Sequence, residues 1–594
     1  MVIAMSINLC VAFMMGTPGA AEGASFYPAG ELEARIQAIL ERYGNQDIEP
    51  RFTDDFILAD VVLSPDYPRR FDNFSGDISG RFIGAVSMLP NPEQAKRLEG
   101  LVDAIARHQK PDGRFGTMEL SFAAADIGPE NMALLWGNGR LLAGLMEYHQ
   151  YSGSEKALEC AKKLGDFLTG VYETCSEPDV AKRLEGQAAR GFICFTQLIE
   201  GLDMLYRATD DGRYLDTAKQ IVPLLEPRGI QHSHGYLTTL RGYLMLYETT
   251  GDAAILARAE KLYGDLVASK DYIIYGGVME YFGSKHDRDE GCSEADFLRL
   301  SLQLWQATGN LEYLEFAERC LLNIFYANQF ETGDFGHRRY DETGYIPARG
   351  AGRAWWCCTM HAHRAFADVK ECAVTRDGTT TRINLFLEGR SVGDMTLVLS
   401  RPGATDPQAP AFRVVVEQAP SGARFIAIRK PSWATDVTVR INRDVVEPVV
   451  NEGYLTLERI WEGNDVIEVD WNYAVRLVKQ DGAVVRQALT ENPVKGALFY
   501  GPWLLGVNEE LDPYFHGEPW RENVIWLPAS IERPKAPVGP EGDPRIVEDA
   551  HLVVNYRHGG FPDPCTVTLR PVSEQTPYRQ PMVTTWLNFQ KPVE

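Results

Sequence analysis

The sequence is poor in basic side chains. Its 594 residues carry 59 Lys and Arg against 82 Asp and Glu, a formal net charge of −23. A surface of that sign repels phosphate backbones, which excludes nucleic acid as a partner class. Long apolar runs are missing too. Val2 to Met15, within MVIAMSINLCVAFMMGTPGAAEGASF, is too short to span a bilayer, and no later run replaces it, so no membrane-embedded part is expected. The run has the length of a secretory leader's apolar core, and Gly19 to Ala24 are small enough for a cleavage site, although no Lys or Arg precedes it. Residues 1–26 are a candidate signal peptide: periplasmic or secreted protein if they act as one, cytoplasmic if not. The ten cysteines are scattered, which argues against a small disulfide scaffold. His-Glu-x-x-His is absent, so a metalloprotease-type zinc site is not expected.

A chain of this length exceeds one ordinary hydrophobic core and predicts two or three domains. From Leu32 to Asp368 the pattern is helical, and one phrase recurs: YHQYSGSEKALECAKKL (148–164), LYRATDDGRYLDTAKQI (205–221), LYETTGDAAILARAEKL (246–262) and LWQATGNLEYLEFAERCLL (304–322). Each copy reads as a helical hairpin, with an aromatic and Leu ending one helix, Gly or Asp at the turn, and apolar i, i+3, i+4 spacing opening the next. Stacked hairpins build a solenoid or an α/α toroid. The long inserts between copies favour a toroid with loops gathered at one rim. After Cys372 short alternating segments such as FRVVVEQ, RFIAIRKPSW, DVTVRINRDV and DVIEVDW predict a β-sandwich. From about Tyr473 a further strand-rich segment holds GALFYGPWLLGVN, a Pro-rich stretch, HLVVNY and CTVTLRPV. The predicted class is α+β multidomain: a toroid over 27–375, a β-sandwich over 376–474 and a second, smaller β domain over 475–594.

Two segments carry chemistry: GGVMEYFGSKHDRDEGCSEADFLRLSLQLW (276–305) and RAWWCCTMHAHRAF (353–366). Together they offer Glu290, Cys292, Cys357 and Cys358, one carboxylate and three thiols, a full tetrahedral set for Zn²⁺. Adjacent cysteines seldom bridge each other, because the small ring strains the peptide. A metal is the better reason for Cys357 and Cys358 to stand side by side. Buried structural thiols are the plain alternative, and His361 and His363 are rival ligands.

In these residues the chain resembles glycoside hydrolase family 127, the retaining β-L-arabinofuranosidases. The likeness rests on Gly276-Gly277, Glu280-Tyr281-Phe282, Glu290-Gly291-Cys292 and Cys357-Cys358. It extends through RFDNF, QKPDGRFG, LIEGL, HGYLTTLRG, IRKPSW and GPWLLG. The resemblance implies an (α/α)6 barrel followed by β domains. It implies zinc on Glu290, Cys292, Cys357 and Cys358, with Cys357 as nucleophile and Glu280 as acid/base. It places His234 and Glu318 at the sugar pocket, and Gln197 where the family has His. The Glu280–Glu290 loop is shorter than in characterised members, which makes Asp287 and Asp289 substitutes for Glu280. The implied substrate is an oligosaccharide or glycoside losing a terminal furanose, most simply β-L-arabinofuranose. A homo-oligomer is compatible with all of this. Two rivals share parts of the pattern. An epimerase or lyase on the same toroid would need none of the four ligands. A carbohydrate-binding protein with structural zinc would lose its fold, not turnover, on mutation of Cys357.

Overall fold

The four repeated phrases are helical hairpins, and their turns explain the residues in them. Each first helix ends on a left-handed residue, Gly153, Asp210, Gly251 or Gly309. The next residue, Ser154, Asp211, Asp252 or Asn310, caps the following helix by accepting a backbone N–H on its side chain. Gly or Asp tolerates the positive φ, and the capping side chain satisfies a donor that the helix itself leaves free.

The computed structural model describes residues 22–23, 25–66, 73–229, 231–283, 288–340, 344–346, 355–402, 409–509, 511–512, 515, 523–528, 543–547, 550–558, 563–575 and 583–592. Six helices form a closed inner ring. In order they are Asp77–Met88, Pro129–Ser152, Ile199–Thr209, Ser233–Thr250, Gly291–Thr308 and Trp356–Ala373, and the sixth packs back on the first. Outer helices Pro92–His108, Glu155–Gly170, Gly212–Ile221, Ala253–Val267 and Leu311–Cys320 each follow an inner one, and Gly30–Gly44 lies against the sixth. This is the (α/α)6 barrel. Inner helices are buried almost all round, so they lack the one-sided apolar stripe of the outer ones. The first two inner helices approach so closely that a Cβ on Gly144 would stand 2.2 Å from the Gly80 carbonyl oxygen.

The β portion comprises a six-stranded and a seven-stranded sheet, which contain the strands of residues 374–473, and a ten-stranded sheet from the C-terminal segment. Three features depart from the sequence boundaries. Glu22–Gly23 pairs with Thr375–Arg376, and Ser25–Pro28 pairs with Gly389–Val392. Residues 22, 23, 25 and 26 are thus sandwich strands, within the 1–26 stretch expected as a leader; residues 1–21 and 24 lie outside the described residues. Arg339–Tyr340 and Gly344–Ile346, from the helical segment, extend the third sheet through Tyr345 and Val583. Backbone pairing partners far along the chain decide such membership, and hydrophobic periodicity carries no trace of it. Among the described residues no helix is long and apolar enough to cross a membrane.

Candidate active site

The inner helices bring their N-terminal ends to one mouth of the barrel. Glu290 is the N-cap of the fifth, Cys292 lies in its first turn, and Cys357 and Cys358 open the sixth. A helix N-terminus favours negative charge, so both thiol groups enter where a thiolate is most easily held. The four ligand atoms lie within 4.8 Å of one another. The Cys292 and Cys358 sulfurs are 3.7 Å apart, and those of Cys357 and Cys358 3.9 Å. A tetrahedral site with metal–sulfur bonds of about 2.3 Å requires sulfur–sulfur edges of about 3.8 Å. The donor set and its spacing therefore fit zinc.

Access separates the three thiols. Cys292 and Cys358 are fully buried, whereas Cys357 is partly exposed. Hydrogen bonds from Cys292 and Cys358, joined by the Arg81 charge, hold the Cys357 thiol well below its usual range against the partial loss of solvent around it. The Glu290 carboxylate accepts from Ser293 Oγ at 2.8 Å and lies 3.2 Å from His232 Nε2. Burial pushes Glu290 upward, but the surrounding histidines, His232 foremost with His234 and His337, together hold the carboxyl low. The Gly276-Gly277 pair has a packing reason: a Cβ on Gly277 would fall 1.8 Å from a carboxylate oxygen of Glu294, one helical turn beyond Glu290.

Beneath the cysteines lies a fully buried network. Arg81, on the first inner helix, reaches Cys292 Sγ with Nη1 at 3.6 Å and His234 Nε2 with Nη2 at 2.9 Å. His234 Nδ1 is 2.5 Å from Asp296, which also receives His361 Nε2 at 2.7 Å, Thr238 Oγ1 at 2.7 Å and Arg241 Nη1 at 3.1 Å. Burial takes His234 down to about 4 in spite of Asp296. Both ring nitrogens of His234 are engaged inside the protein, so it reaches a sugar only if one of those bonds gives way. His361 belongs to this network and not to the cysteine group. His363 points elsewhere, its Nδ1 3.1 Å from the Tyr43 hydroxyl.

Glu280 is buried and forms a second group with His232 and Glu290, all within 4.8 Å. Its Oε2 accepts from Arg288 Nε, at the far end of the short loop. Asp289 faces away: its Oδ1 accepts the Arg338 backbone N–H at 2.6 Å. Asp287 lies outside the described residues.

Two pocket assignments part from the cysteine group. The Glu318 carboxylate accepts from Arg429 and, at 2.7 Å, from Trp433 Nε1, both on the β-sandwich, and it lines a small aromatic pocket with Trp433, Trp471 and Trp503. Its bonds fasten the helical domain to the sandwich. Gln197 donates to the Cys194 carbonyl at 3.2 Å and abuts Gly139. The sequence reading missed Arg81, His232 and Asp296. Signals existed: His232 and His234 share the QHSH run, Asp296 lies one turn beyond Cys292, and Arg81 is a lone charge in the apolar GRFIGAV.

Known proteins resemble this chain in sequence and in fold. The model of the β-L-arabinofuranosidase GH127 catalytic domain matches residues 69–371, and that of the GH127 middle domain matches 380–473. A non-reducing end β-L-arabinofuranosidase of Bifidobacterium longum subsp. longum is 22% identical over 497 residues, 70% of this chain and 73% of that protein. Two solved structures share the fold. A GH127 β-arabinofuranosidase superposes with a TM-score of 0.68 at 17% identity, covering 96% of this chain and 98% of the other. The GH127 β-L-arabinofuranosidase Ara127N-Se of Geobacillus stearothermophilus T6 gives 0.70 at 15% identity, covering 95% and 100%.

Proposed function

The chain belongs to glycoside hydrolase family 127, the β-L-arabinofuranosidase family, and from that premise we propose a retaining exo-hydrolase. It removes a terminal furanose, β-L-arabinofuranose above all, with Cys357 as nucleophile and Glu280 as acid/base. Glu290, Cys292, Cys357 and Cys358 would hold the zinc, which when bound supplies the positive charge that keeps a thiol ionised at neutral pH.

The observation that carries this reading is the access of Cys357, the one thiol of the three that is not fully buried. A nucleophile must meet the anomeric carbon in line, whereas a purely structural ligand gains nothing from exposure. Retention then follows from two displacements. In the first, the Cys357 sulfur bonds to the anomeric carbon while the Glu280 carboxyl gives its proton to the departing oxygen. In the second, the Glu280 carboxylate takes a proton from water, the water oxygen bonds to the anomeric carbon, and the carbon–sulfur bond breaks. Arg288 Nε occupies one Glu280 oxygen, and the first step requires that pair to open as the leaving oxygen arrives.

The test is a panel of p-nitrophenyl furanosides and pyranosides on zinc-loaded, reduced protein, with and without chelator. Cleavage of the β-L-arabinofuranoside, lost with chelator and lost in Cys357→Ser, is expected. An electrophilic furanose mimic such as a cyclophellitol-type epoxide should add one label per chain, at Cys357. Labelling at Cys358 or at a carboxylate would overturn the mechanism. Activity confined to pyranosides would overturn the sugar class.

A further inference from the structure

The proposed ligand set has an electrostatic problem. Three thiolates and a carboxylate bring four negative charges, and a divalent zinc answers two of them. Three of the four ligands are buried, where uncompensated charge is costly. Among the described residues, Arg81 is the arginine or lysine that hydrogen-bonds a ligand sulfur. Its remaining contacts hold it in place. Nε donates to Asp77 Oδ1 at 2.8 Å, one turn earlier on the same helix, and Trp136 Nε1 fixes that oxygen at 3.0 Å. Nη2 meets His234 Nε2 at 2.9 Å, and His234 is fixed in turn by Asp296. The guanidinium thus spends each of its three nitrogens on a different partner, drawn from three helices. A lysine could bring the charge but not the fork.

We propose that Arg81 is a positioning residue of the zinc centre, balancing the charge of the ligand set through Cys292 and fixing the Cys292 sulfur toward the metal. The idea rests on the zinc reading above and deepens it. Outer partners of ligands commonly govern metal affinity, and their loss costs about ten- to a hundred-fold. The same logic explains why His234 is buried against Arg81: it is a spacer that orients the guanidinium.

The test is zinc affinity by chelator competition, alongside the absorption of the cobalt-substituted protein, on full-length wild type, Arg81→Met and Arg81→Lys. Arg81→Met should bind zinc about ten- to a hundred-fold more weakly, and Arg81→Lys should lie between it and wild type. The sulfur-to-cobalt charge-transfer band should move to longer wavelength in both variants, because a sulfur without its donor gives up an electron more easily. If Arg81→Met does not fold by circular dichroism, Arg81→Lys decides. A folded variant that binds zinc within about twofold of wild type with an unmoved band overturns the role. A wild-type protein that binds no zinc overturns the zinc reading instead, so the two failures are distinguishable.

Discussion

Glu318→Gln separates a structural carboxylate from a catalytic-pocket one. In wild type its two oxygens answer Arg429 and Trp433. Arg429 is 1% exposed, and its Nε and Nη1 have no hydrogen-bond partner, so Glu318 is the charge that compensates it. Glutamine is nearly isosteric and still accepts from Trp433, but it removes the negative charge. Breaking a buried ion pair from one side costs about 3–5 kcal/mol, and the retained Trp433 bond points to the lower end. For a domain of about 350 residues, with an unfolding entropy of about 2.1 cal/mol/K per residue, about 3 kcal/mol corresponds to a fall of roughly 4 °C in melting midpoint. A chain of several domains will unfold irreversibly, so midpoints must be compared at one scan rate. Differential scanning calorimetry should show this fall, while zinc content and kcat/KM of the folded variant, assayed well below its midpoint, stay near wild type. If Glu318→Gln melts with wild type yet loses more than about tenfold in kcat/KM, the carboxylate acts at the sugar and the interface reasoning is wrong.

Three further outcomes are expected. Glu280→Gln should slow natural glycosides far more than p-nitrophenyl ones, since a good leaving group needs little protonation, with azide partly rescuing the second step; equal activity on a natural substrate would remove Glu280 from the mechanism. Chelator-stripped protein should melt below the zinc-loaded form, and one equivalent of zinc should restore it, because a ligand that binds only the folded state stabilises it; coincident melts would argue against a metal at the cysteines. Burial lowers His363 to about 4 from its ordinary 6.5, so it stays neutral in the fold while the unfolded chain takes up a proton. Its contribution is therefore complete above pH 6.5 and is lost as pH falls from 6.5 toward 4, by about 3 kcal/mol in total. His363→Gln should flatten the stability–pH curve in that window, and a slope equal to wild type would refute the assignment.

The hairpin turns were legible because their chemistry is local. Gly153 with Ser154, Asp210 with Asp211, and Gly251 with Asp252 need only their own backbone angles and the next helix's free N–H groups. Alternating strands and the paired cysteines were legible for the same reason, since period and adjacency are properties of the chain itself. The family motifs extended this reach to Glu290, Cys292 and Glu280, which fall together at the barrel mouth. Only the tertiary structure decided the rest. Ring closure sets Arg81 of the first inner helix against Cys292 of the fifth, 211 residues away. Domain docking hands Glu318 to Arg429 and Trp433, and strand pairing carries residues 22–23 and 25–28 into the sandwich. Within the barrel mouth, burial closes over Cys292 and Cys358 and leaves Cys357 partly open. The physical reason is common to all four: local propensity and spacing fix what a segment can form, whereas a charge's partner and a thiol's exposure depend on whatever distant surface folding brings against it.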